Sequence, residues 1–304
     1  MRITVVGSIN MDLVTSAAKI PAPGETVIGG DLQTFPGGKG ANQAVAAARQ
    51  GAQVAMIGRV GDDAFGAQMR QVLAADGVDV SCVWQTAVTP TGVALIVVDA
   101  QGQNSIVVAS GANMRLTPAD VAAAAPAIQA ARVLLLQLET PLETAQQAAE
   151  LARAAGVTVI LNPAPARPLP PELLALVDIL IPNESETAAL TGLPVDNETD
   201  LLAAAAQLRA QGVGTVILTL GERGALLATD AETRHFPAFP VAQVVDTTAA
   251  GDAFVGGLAT AVARNLPIET AITWGNAAGA LAVTRAGAQP SLPTREECEQ
   301  MVNR

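Results

Sequence analysis

Toward the end of the chain, a run of small residues leads directly into an aspartate and an apolar helical pattern. The segment reads Val245-Asp246-Thr247-Thr248-Ala249-Ala250-Gly251-Asp252-Ala253-Phe254. Small residues let a phosphate approach the backbone, and the free N–H groups of a helix N-terminus favour negative charge. We therefore interpret Ala249, Ala250 and Gly251 as an anion hole, and we expect a strand, a tight turn and a helix start here.

Asp252 lies at that same helix start, where its carboxylate would stand beside a bound phosphoryl group. It could there accept the proton of an attacking hydroxyl, as a general base does. An aspartate that follows a glycine is also a common helix N-cap, and the segment alone leaves both interpretations open. The P-loop pattern G-x-x-x-x-G-K-[ST] does not occur in the sequence, which argues against a P-loop kinase.

A second group of polar residues, near the N-terminus, suits a ligand with several hydroxyl groups. Pro36-Gly37-Gly38-Lys39-Gly40-Ala41-Asn42-Gln43-Ala44 puts an ammonium, amides and exposed backbone at one helix start. Asn10 and Asp12 follow the first strand pattern, and Glu139 follows a later one. We expect these three at the carboxyl ends of parallel strands, where open α/β sheets bind ligands. Each of them can also be explained as a turn residue.

The elements that must position these residues alternate between short β-rich runs and alanine-rich helical runs. This rhythm predicts β-α units and a mainly parallel sheet in one domain, residues 1–304. The predicted runs are Ile3–Val6, Gly38–Arg49, Val54–Ile57, Asp63–Ala75, Val133–Leu136, Pro141–Ala155, Val157–Leu161, Ile179–Ile181, Glu184–Leu190, Asp200–Gln211, Val216–Thr219 and about Gly251–Val283. Thr26–Phe35 and Thr91–Asp99 lack a crossover helix and predict a small second sheet. We expect that sheet to be a lid of residues 13–36 and 91–110, approximately.

Composition and charge argue against several classes of partner. The formal net charge of −11 repels nucleic acid and anionic membranes. No run approaches the roughly 20 apolar residues of a membrane span, and the N-terminal pattern differs from a signal peptide. Cys82 and Cys298 lie far apart and form no C-x-x-C, so neither a disulfide framework nor a zinc site is indicated. We expect a cytoplasmic protein.

Together these segments resemble the ribokinase-like carbohydrate kinase family. That family has a G-G-x-x-x-N-x-A signature near its N-terminus and a D-T-x-G-A-G-D signature near its C-terminus; residues 37–44 and 246–252 match them in this order. Residues 58–66, 183–186 and 219–224 extend the similarity over nearly the whole chain. Ala249 replaces a glycine of the second signature, so we expect a negative φ at Ala249.

The resemblance implies a ribokinase-like three-layer α/β/α core with a mainly parallel central sheet and a small β-sheet lid. It implies phosphorylation of D-ribose at O5 by ATP, giving D-ribose 5-phosphate and ADP. Asp252 would be the general base and residues 249–251 the anion hole. Since a lid with an apolar outer face tends to pair with another copy, we also expect a homodimer through the lid.

The resemblance further assigns ligand contacts to individual residues. The sugar would contact Asn10, Met11, Asp12, Gly38, Lys39, Gly40, Ala41, Asn42, Glu139 and Asp252. ATP would contact Asn183, Glu186, Thr219, Leu220, Gly221, Glu222, Arg223, Gly224, Gly251 and Asn276, with Mg²⁺ or another divalent cation near Asn183 and Glu186. A monovalent cation, K⁺, would contact Asp246, Thr248, Ala282, Arg285, Gly287 and Ser291. One carboxylate with several carbonyl oxygens suits a hard cation, although residues 285–291 also match an ordinary loop.

The sequence leaves other sugar-kinase substrates open and disfavours other classes of protein. The same signatures serve kinases of fructose, fructose phosphates, adenosine and deoxyribose. Asn10, Asp12 and Lys39 favour a small free sugar, and a nucleoside would need an aromatic platform, for which the chain offers few residues. A dehydrogenase is disfavoured because Gly7-Ser8-Ile9-Asn10 lacks G-x-G-x-x-G. A binding protein without catalysis would not need Asp252 at an anion hole.

Overall fold

The computed structural model describes residues 1–303. Its strands are β1 Arg2–Val6, β2 Asn10–Ser16, β3 Gln33–Gly37, β4 Gln53–Gly61, β5 Val78–Thr86, β6 Gly92–Val98, β7 Asn104–Ala109, β8 Val133–Leu136, β9 Thr158–Leu161, β10 Ile179–Leu180, β11 Thr215–Thr219, β12 Ala225–Ala228 and β13 Thr233–Phe236. Its helices are α1 Lys39–Arg49, α2 Ala64–Ala75, α3 Pro118–Ala123, α4 Ala125–Gln129, α5 Leu142–Ala154, α6 Pro171–Leu174, α7 Glu184–Thr191, α8 Glu198–Ala210, α9 Ala250–Ala263, α10 Ile268–Ala282, α11 Ala288–Ser291 and α12 Arg295–Val302.

A nine-stranded sheet has the order β13-β12-β11-β10-β9-β8-β1-β4-β5. All neighbouring pairs from β5 to β11 are parallel, whereas β12 and β13 add antiparallel pairs at one edge. Strands covered on both faces are continuously apolar, as in the fully buried Val133–Leu136. The carboxyl ends of the parallel strands therefore share one edge of the sheet, at which ligands bind in such folds.

Helices cover both faces of this sheet. Side chains from α1, α2, α9, α10 and α12 form one buried cluster with strand residues such as Val5 and Leu135. Side chains from α3, α4, α5, α6 and α8 form another with the intervening strand residues, such as Val6 and Leu134. The division follows from the two-residue period of a strand. The predicted three-layer α/β/α core is confirmed. Within residues 1–303, none of the helices combines the length and the apolar character that a transmembrane span requires.

The helices α1 and α9 pack directly against each other. Gly256 of α9 lies so close to Ala46 and Ala47 of α1 that a side-chain carbon at Gly256 would collide with them. Glycine at this position lets the two helix backbones approach. As a result, the first turns of α1 and α9 face each other, although the two signatures are distant in the sequence.

The small second sheet is present and has the strand order β3-β2-β6-β7. Two details of the sequence prediction are wrong. Within Thr26–Phe35, the strand begins only at Gln33, and the preceding residues make a single bridge between Gly29 and Ala17. Asn10 and Asp12 lie in β2, one of the two central lid strands, and not at the end of β1, because β2 pairs with β3 on one side and with β6 on the other.

The segment that precedes α9 also differs from the prediction. No strand forms at Val245, whose backbone N–H donates to the carbonyl of Val283 at the end of α10, 2.7 Å away. Without a neighbouring strand, the β-type composition of residues 244–245 is not sufficient to form one. The helix itself begins at Ala250 as expected, and Ala249 has the predicted negative φ, −112°.

Candidate active site

Asp252 lies in the first turn of α9 and is only 7% exposed. Its carboxylate accepts hydrogen bonds from Asn42 Nδ2 at 2.9 Å and from Gln43 Nε2 at 3.0 Å, both on α1. Burial raises the pKa of Asp252, while the charge of Lys39 and the two hydrogen bonds oppose this rise. Asp252 is therefore not the N-cap of α9, a position that Ala249 occupies without a side-chain bond. Its carboxylate is instead held by the other signature helix.

The first turn of α9 leaves backbone donors free. No hydrogen bond within residues 1–303 uses the N–H of Gly251 or of Asp252. Gly251 is exposed, and only its own turn lies within 4 Å of the place where its side chain would be. Unpaired N–H groups with open space in front of them, at the positive end of a helix dipole, suit a phosphate. The free donors of this turn are thus Gly251 N and Asp252 N. Ala250 N is not free, because it donates to Thr247 O at 3.2 Å, so the anion hole expected at residues 249–251 moves to Gly251 and Asp252.

Around Asp252, one ammonium group lies among several carboxylates. Burial, together with the charges of Glu139 and Asp252, raises the pKa of Asp12 on β2 to about 7. Burial works against the charge of Lys39, but Asp252 and Glu139 raise the pKa of Lys39 above its usual value. Glu139 accepts hydrogen bonds from the hydroxyl of Ser8 and from Lys39 N, the latter at 3.2 Å. Such a cluster offers several acceptors to a neutral ligand rich in hydroxyl groups.

The remaining residues assigned to the sugar have different positions. Gly38 is the N-cap of α1, and Gly40 N donates to Ser8 Oγ at 3.3 Å. Met11 and Ala41 are fully buried in the core, and Met11 lies on the opposite face of β2 from Asp12. Asn10, two residues before Asp12, lies on the same face of β2 as that carboxylate.

A cavity of about 1070 Å³ opens beside the anion hole, between the end of β11 and the helices α9 and α10. Of the residues assigned to ATP, those in its wall are Asn183, Thr219, Gly221, Glu222, Gly224, Gly251 and Asn276. Leu220 is buried in the core, and the Arg223 side chain forms an ion pair with Glu184 at 2.5 Å, so neither lines the cavity. The volume is ample for a nucleotide.

This cavity has an apolar wall that was not predicted from the sequence and that includes Phe239, Pro240, Val241, Val244 and Phe254. Most of these residues lie in the segment between β13 and α9, which has no regular structure. The available signal was a run of apolar side chains in a loop, directly before the anion-hole turn. Flat apolar surfaces of this kind suit the base of a nucleotide.

A smaller cavity of about 210 Å³ connects the nucleotide-sized cavity with Asp252. Lys39, Glu186 and Asp252 line it, and it shares residues such as Asn183 and Gly251 with the larger cavity. Asn183 and Glu186 form a capping box at the start of α7, in which Asn183 N donates to Glu186 Oε2 at 2.9 Å. The path thus leads from the larger cavity, past the anion hole, to the base.

A polar network lies underneath Asp252 and was not assigned from the sequence. Gln43 Nε2 also contacts Asn162 Oδ1 at 3.1 Å, and Gln137 Nε2 donates to Gln43 Oε1 at 2.6 Å. Gln137 and Asn162 directly follow β8 and β9. Polar residues after fully buried strands were the signal that could have indicated them. The network restricts the Gln43 amide that holds Asp252.

No group of three or more His, Cys, Asp or Glu side chains in the described part of the chain is arranged to hold a metal ion. Mg²⁺ often binds through one or two carboxylates together with substrate phosphates. Glu186, whose pKa is raised by burial, borders the smaller cavity and fits that role together with Asn183. We therefore expect a divalent ion to bind here together with the nucleotide.

The positions assigned to K⁺ lie in two adjoining segments. Asp246 accepts from Thr248 N at 2.9 Å and from Gly287 N at 2.8 Å. Burial acts to raise the pKa of Asp246, but these hydrogen bonds lower it overall. Ala282 offers a carbonyl at the C-terminus of α10, and Ser291 Oγ donates to Ala288 O at 2.8 Å. One carboxylate with backbone carbonyls suits a hard cation. The side chain of Arg285 pairs with Glu297 instead, so only its backbone is available.

This fold and this site define a kinase, in which a nucleotide cavity meets a buried carboxylate beside a cluster suited to hydroxyl groups. Residues 1–295 match the model of the pfkB family of carbohydrate kinases. The chain belongs to the pfkB family of carbohydrate kinases, which confirms the resemblance found in the sequence.

Individual sugar kinases are similar to this chain over nearly its full length. The ribokinase of Haemophilus influenzae is 45% identical over 295 residues, covering 97% of this chain and 96% of that protein. A deoxyribokinase of Salmonella typhi is 40% identical over 304 residues, covering 100% and 99%. Among solved structures, Arabidopsis thaliana ribokinase complexed with ribose and ATP has a TM-score of 0.92 and 35% identity, with 99% and 98% coverage.

Proposed function

We propose that this chain is an ATP-dependent ribokinase, which transfers the γ-phosphoryl group of ATP to O5 of D-ribose and releases D-ribose 5-phosphate and ADP. The observation that carries the proposal is the buried Asp252 carboxylate, which lines the smaller cavity and lies close to the carboxylate cluster. The ribokinase relatives support ribose as the acceptor, and the Arabidopsis complex supports ribose together with ATP.

In this mechanism, the acceptor hydroxyl gives its proton to Asp252 as its oxygen attacks the phosphoryl group. The raised pKa makes Asp252 a stronger base than an ordinary aspartate, and the hydrogen bonds from Asn42 and Gln43 keep it oriented. The free N–H groups of the first turn of α9 stabilise the charge on the transferred group. Asn183 and Glu186 would hold Mg²⁺ together with ATP, and the ion would supply positive charge to the phosphates. K⁺ beside Asp246 would stabilise the turn that presents those N–H groups.

Deoxyribose is the second candidate acceptor, because a deoxyribokinase is 40% identical over the whole chain. We propose that Asp12 accepts a hydrogen bond from the 2-hydroxyl, which deoxyribose lacks. Asp12→Ala should then reduce kcat/KM for ribose far more than for deoxyribose. Equal losses for both sugars would remove this role from Asp12.

The deciding experiment is an ADP-release assay with Mg-ATP on ribose, deoxyribose, fructose, fructose 6-phosphate and adenosine, each with and without K⁺. Wild type and Asp252→Asn are compared. Ribose-selective turnover that K⁺ stimulates, and that falls about 100-fold or more in the variant, supports the proposal. If no acceptor yields ADP, the proposed function is wrong; if another sugar is preferred, only the substrate is.

We further propose that the chain forms a homodimer through its lid. Leu95 of β6 and Val107 of β7 are opposite each other in register, with 49% and 62% of their surface exposed. They point away from the face that carries Asp12. Exposed apolar side chains on a sheet favour contact with another copy. Residues 1–304 would act as one domain, and the unpaired thiols of Cys82 and Cys298 agree with a cytoplasmic location.

A further inference from the structure

Asn113 is a buried side chain at the base of the lid, and no step of the mechanism above uses it. It lies in a short 3-10 helix, Gly111–Arg115, directly after the lid strand β7, and is 1% exposed. Its amide contacts residues 9 and 10, where the chain enters β2. Asn113 Oδ1 accepts from Ile9 N at 2.9 Å, while Asn113 Nδ2 donates to Ile9 O at 3.3 Å and to Asn10 Oδ1 at 2.6 Å.

These contacts allow only one orientation of each amide. The backbone N–H of Ile9 is a donor, so the Asn113 atom that faces it must be the oxygen. Asn113 Nδ2 therefore points toward Ile9 O and Asn10, and both of its hydrogens are used. Because Nδ2 donates, the Asn10 atom that faces it must be Oδ1. The backbone of Ile9 thus determines the side-chain orientation of Asn10, through Asn113.

A glycine beside this contact gives independent support. Gly92 of β6 is the strand partner of Asn10. A side-chain carbon at Gly92 would collide with both Asn10 Oδ1 and Asn113 Nδ2. Glycine at this position leaves the space that the bond between the two amides requires. Strand β6, the 3-10 helix after β7 and the start of β2 therefore all contribute to the contact between the two amides.

As a result, the NH₂ group of Asn10 is free. Asn10 Nδ2 donates no hydrogen bond within residues 1–303, and it is not among the buried polar atoms that lack a partner there, so it is accessible. Asp12 is on the same face of β2, two residues further along. One donor and one carboxylate acceptor thus stand roughly 7 Å apart on one strand, a spacing that suits two hydroxyl groups of one sugar.

We propose that Asn113 is a positioning residue for the sugar site, which holds Asn10 with its NH₂ group toward the sugar before the sugar binds. This inference rests on the proposed function, because it takes Asn10 as a sugar contact. Without Asn113, the Asn10 amide can rotate, and part of the binding energy is then spent on fixing it. Sugar affinity should fall, whereas the nucleotide cavity, which Asn113 does not line, should be unaffected.

The test is a double-mutant cycle with Asn113→Ala, Asn10→Ala and the double variant, analysed by the KM for ribose, the KM for ATP and the thermal midpoint. Asn113→Asp is added because it has the same shape and retains the acceptor for Ile9 N, but it presents an acceptor to Asn10 and so favours the opposite orientation of the Asn10 amide. Thr91→Val is the matched control. Thr91 is equally buried at the base of the lid, but its hydroxyl donates to Asp63 Oδ1 at 2.7 Å and does not contact Asn10.

We expect Asn113→Ala and Asn113→Asp each to raise the ribose KM about 5- to 10-fold, with the ATP KM changed less than about 2-fold. In the Asn10→Ala background, Asn113→Ala should change the ribose KM by less than about 2-fold, because its effect acts through Asn10. The effect of Thr91→Val on the ribose KM should be the same in both backgrounds.

Two results would overturn the inference. One is an unchanged ribose KM in Asn113→Asp. The other is that Asn113→Ala raises the ribose KM by the same factor in the wild-type background and in the Asn10→Ala background, which would indicate a purely structural role. If instead Asn10→Ala leaves the ribose KM unchanged, the proposed sugar site itself fails. The cycle therefore separates failure of the inference from failure of the proposed function.

Discussion

Replacing Asp12 by asparagine should stabilise the folded protein at alkaline pH while it weakens sugar binding. Burial and the neighbouring carboxylates of Glu139 and Asp252 raise the pKa of Asp12 from 3.8 to about 7. A carboxylate with a raised pKa binds its proton more tightly in the folded state than in the unfolded state. Its contribution to stability is therefore complete at low pH and is lost as the pH rises from about 4 to about 7.

The size of the effect follows from those two pKa values. Each pKa unit corresponds to about 1.4 kcal/mol, so full ionisation of Asp12 lowers the free energy of unfolding by roughly 4 kcal/mol. Between pH 5 and pH 8 the loss is about 2.5 kcal/mol, because at pH 5 the unfolded chain is already mostly ionised. An asparagine does not titrate. The free energy of unfolding of Asp12→Asn, relative to that of wild type, should thus rise by about 2.5 kcal/mol between pH 5 and pH 8.

Urea unfolding of both proteins at several pH values between 5 and 8, followed by circular dichroism, measures this difference directly. Asp120→Asn is the control, since Asp120 pairs with Arg59 and the pKa of Asp120 is lowered, despite its partial burial. A carboxylate with a lowered pKa contributes stability that is lost only at acidic pH. The difference in the free energy of unfolding between Asp120→Asn and wild type should therefore stay constant from pH 5 to pH 8. A constant offset for Asp12→Asn as well would refute the reasoning about Asp12.

Three further predictions concern the phosphate, cation and lid regions. Gly251→Ala should stabilise α9 by about 0.5–1 kcal/mol. Its methyl group would nevertheless fill open space near the free N–H groups, so kcat should fall about 10-fold or more. An unchanged kcat would contradict the anion hole. Arg49 donates to the carbonyls of Gln289 and Leu292, on either side of the proposed K⁺ contact Ser291, at 2.7 and 3.0 Å. Arg49→Met should therefore loosen this segment and raise the K⁺ concentration at the midpoint of thermal stabilisation about 3-fold or more. Arg295→Met, which removes an exposed ion pair with Glu299, should leave that midpoint unchanged. Leu95→Glu should shift the sedimentation coefficient toward that of a monomer. The thermal midpoint of the monomer should change little, because Leu95 is exposed. A wild-type protein that is monomeric at micromolar concentration would refute the dimer.

The two signatures were predictable because they are local. Small residues followed by an apolar helical pattern define a helix start regardless of what packs around it, and α1 and α9 begin within one residue of the expected positions. The alternation of β-rich and alanine-rich runs likewise predicted a mainly parallel sheet, since continuous apolar runs require cover on both faces. The residue types of the site were therefore identifiable one by one.

Strand predictions failed where a strand depends on a partner. Val245 has β-type composition but pairs with the end of a helix, and the residues before Gln33 bridge to the lid only at Gly29. Asn10 and Asp12 were placed one strand too early, because the sequence does not show that the chain enters a second sheet directly after β1. Strand pairing is a property of the whole fold, so composition alone did not decide it.

The amino-acid sequence by itself determined the helix starts, the parallel core and the chemical types of the site residues, because each depends on neighbours within a few positions. Only the tertiary structure decided that Asn42 and Asp252, 210 residues apart, form a hydrogen bond at 2.9 Å. It also decided the raised pKa of Asp12, the apolar wall of the nucleotide cavity and the hydrogen bonds of Asn113 to Ile9 and Asn10. Burial, charge proximity and hydrogen-bond direction arise from contacts between distant segments, and those contacts exist only after the chain has folded.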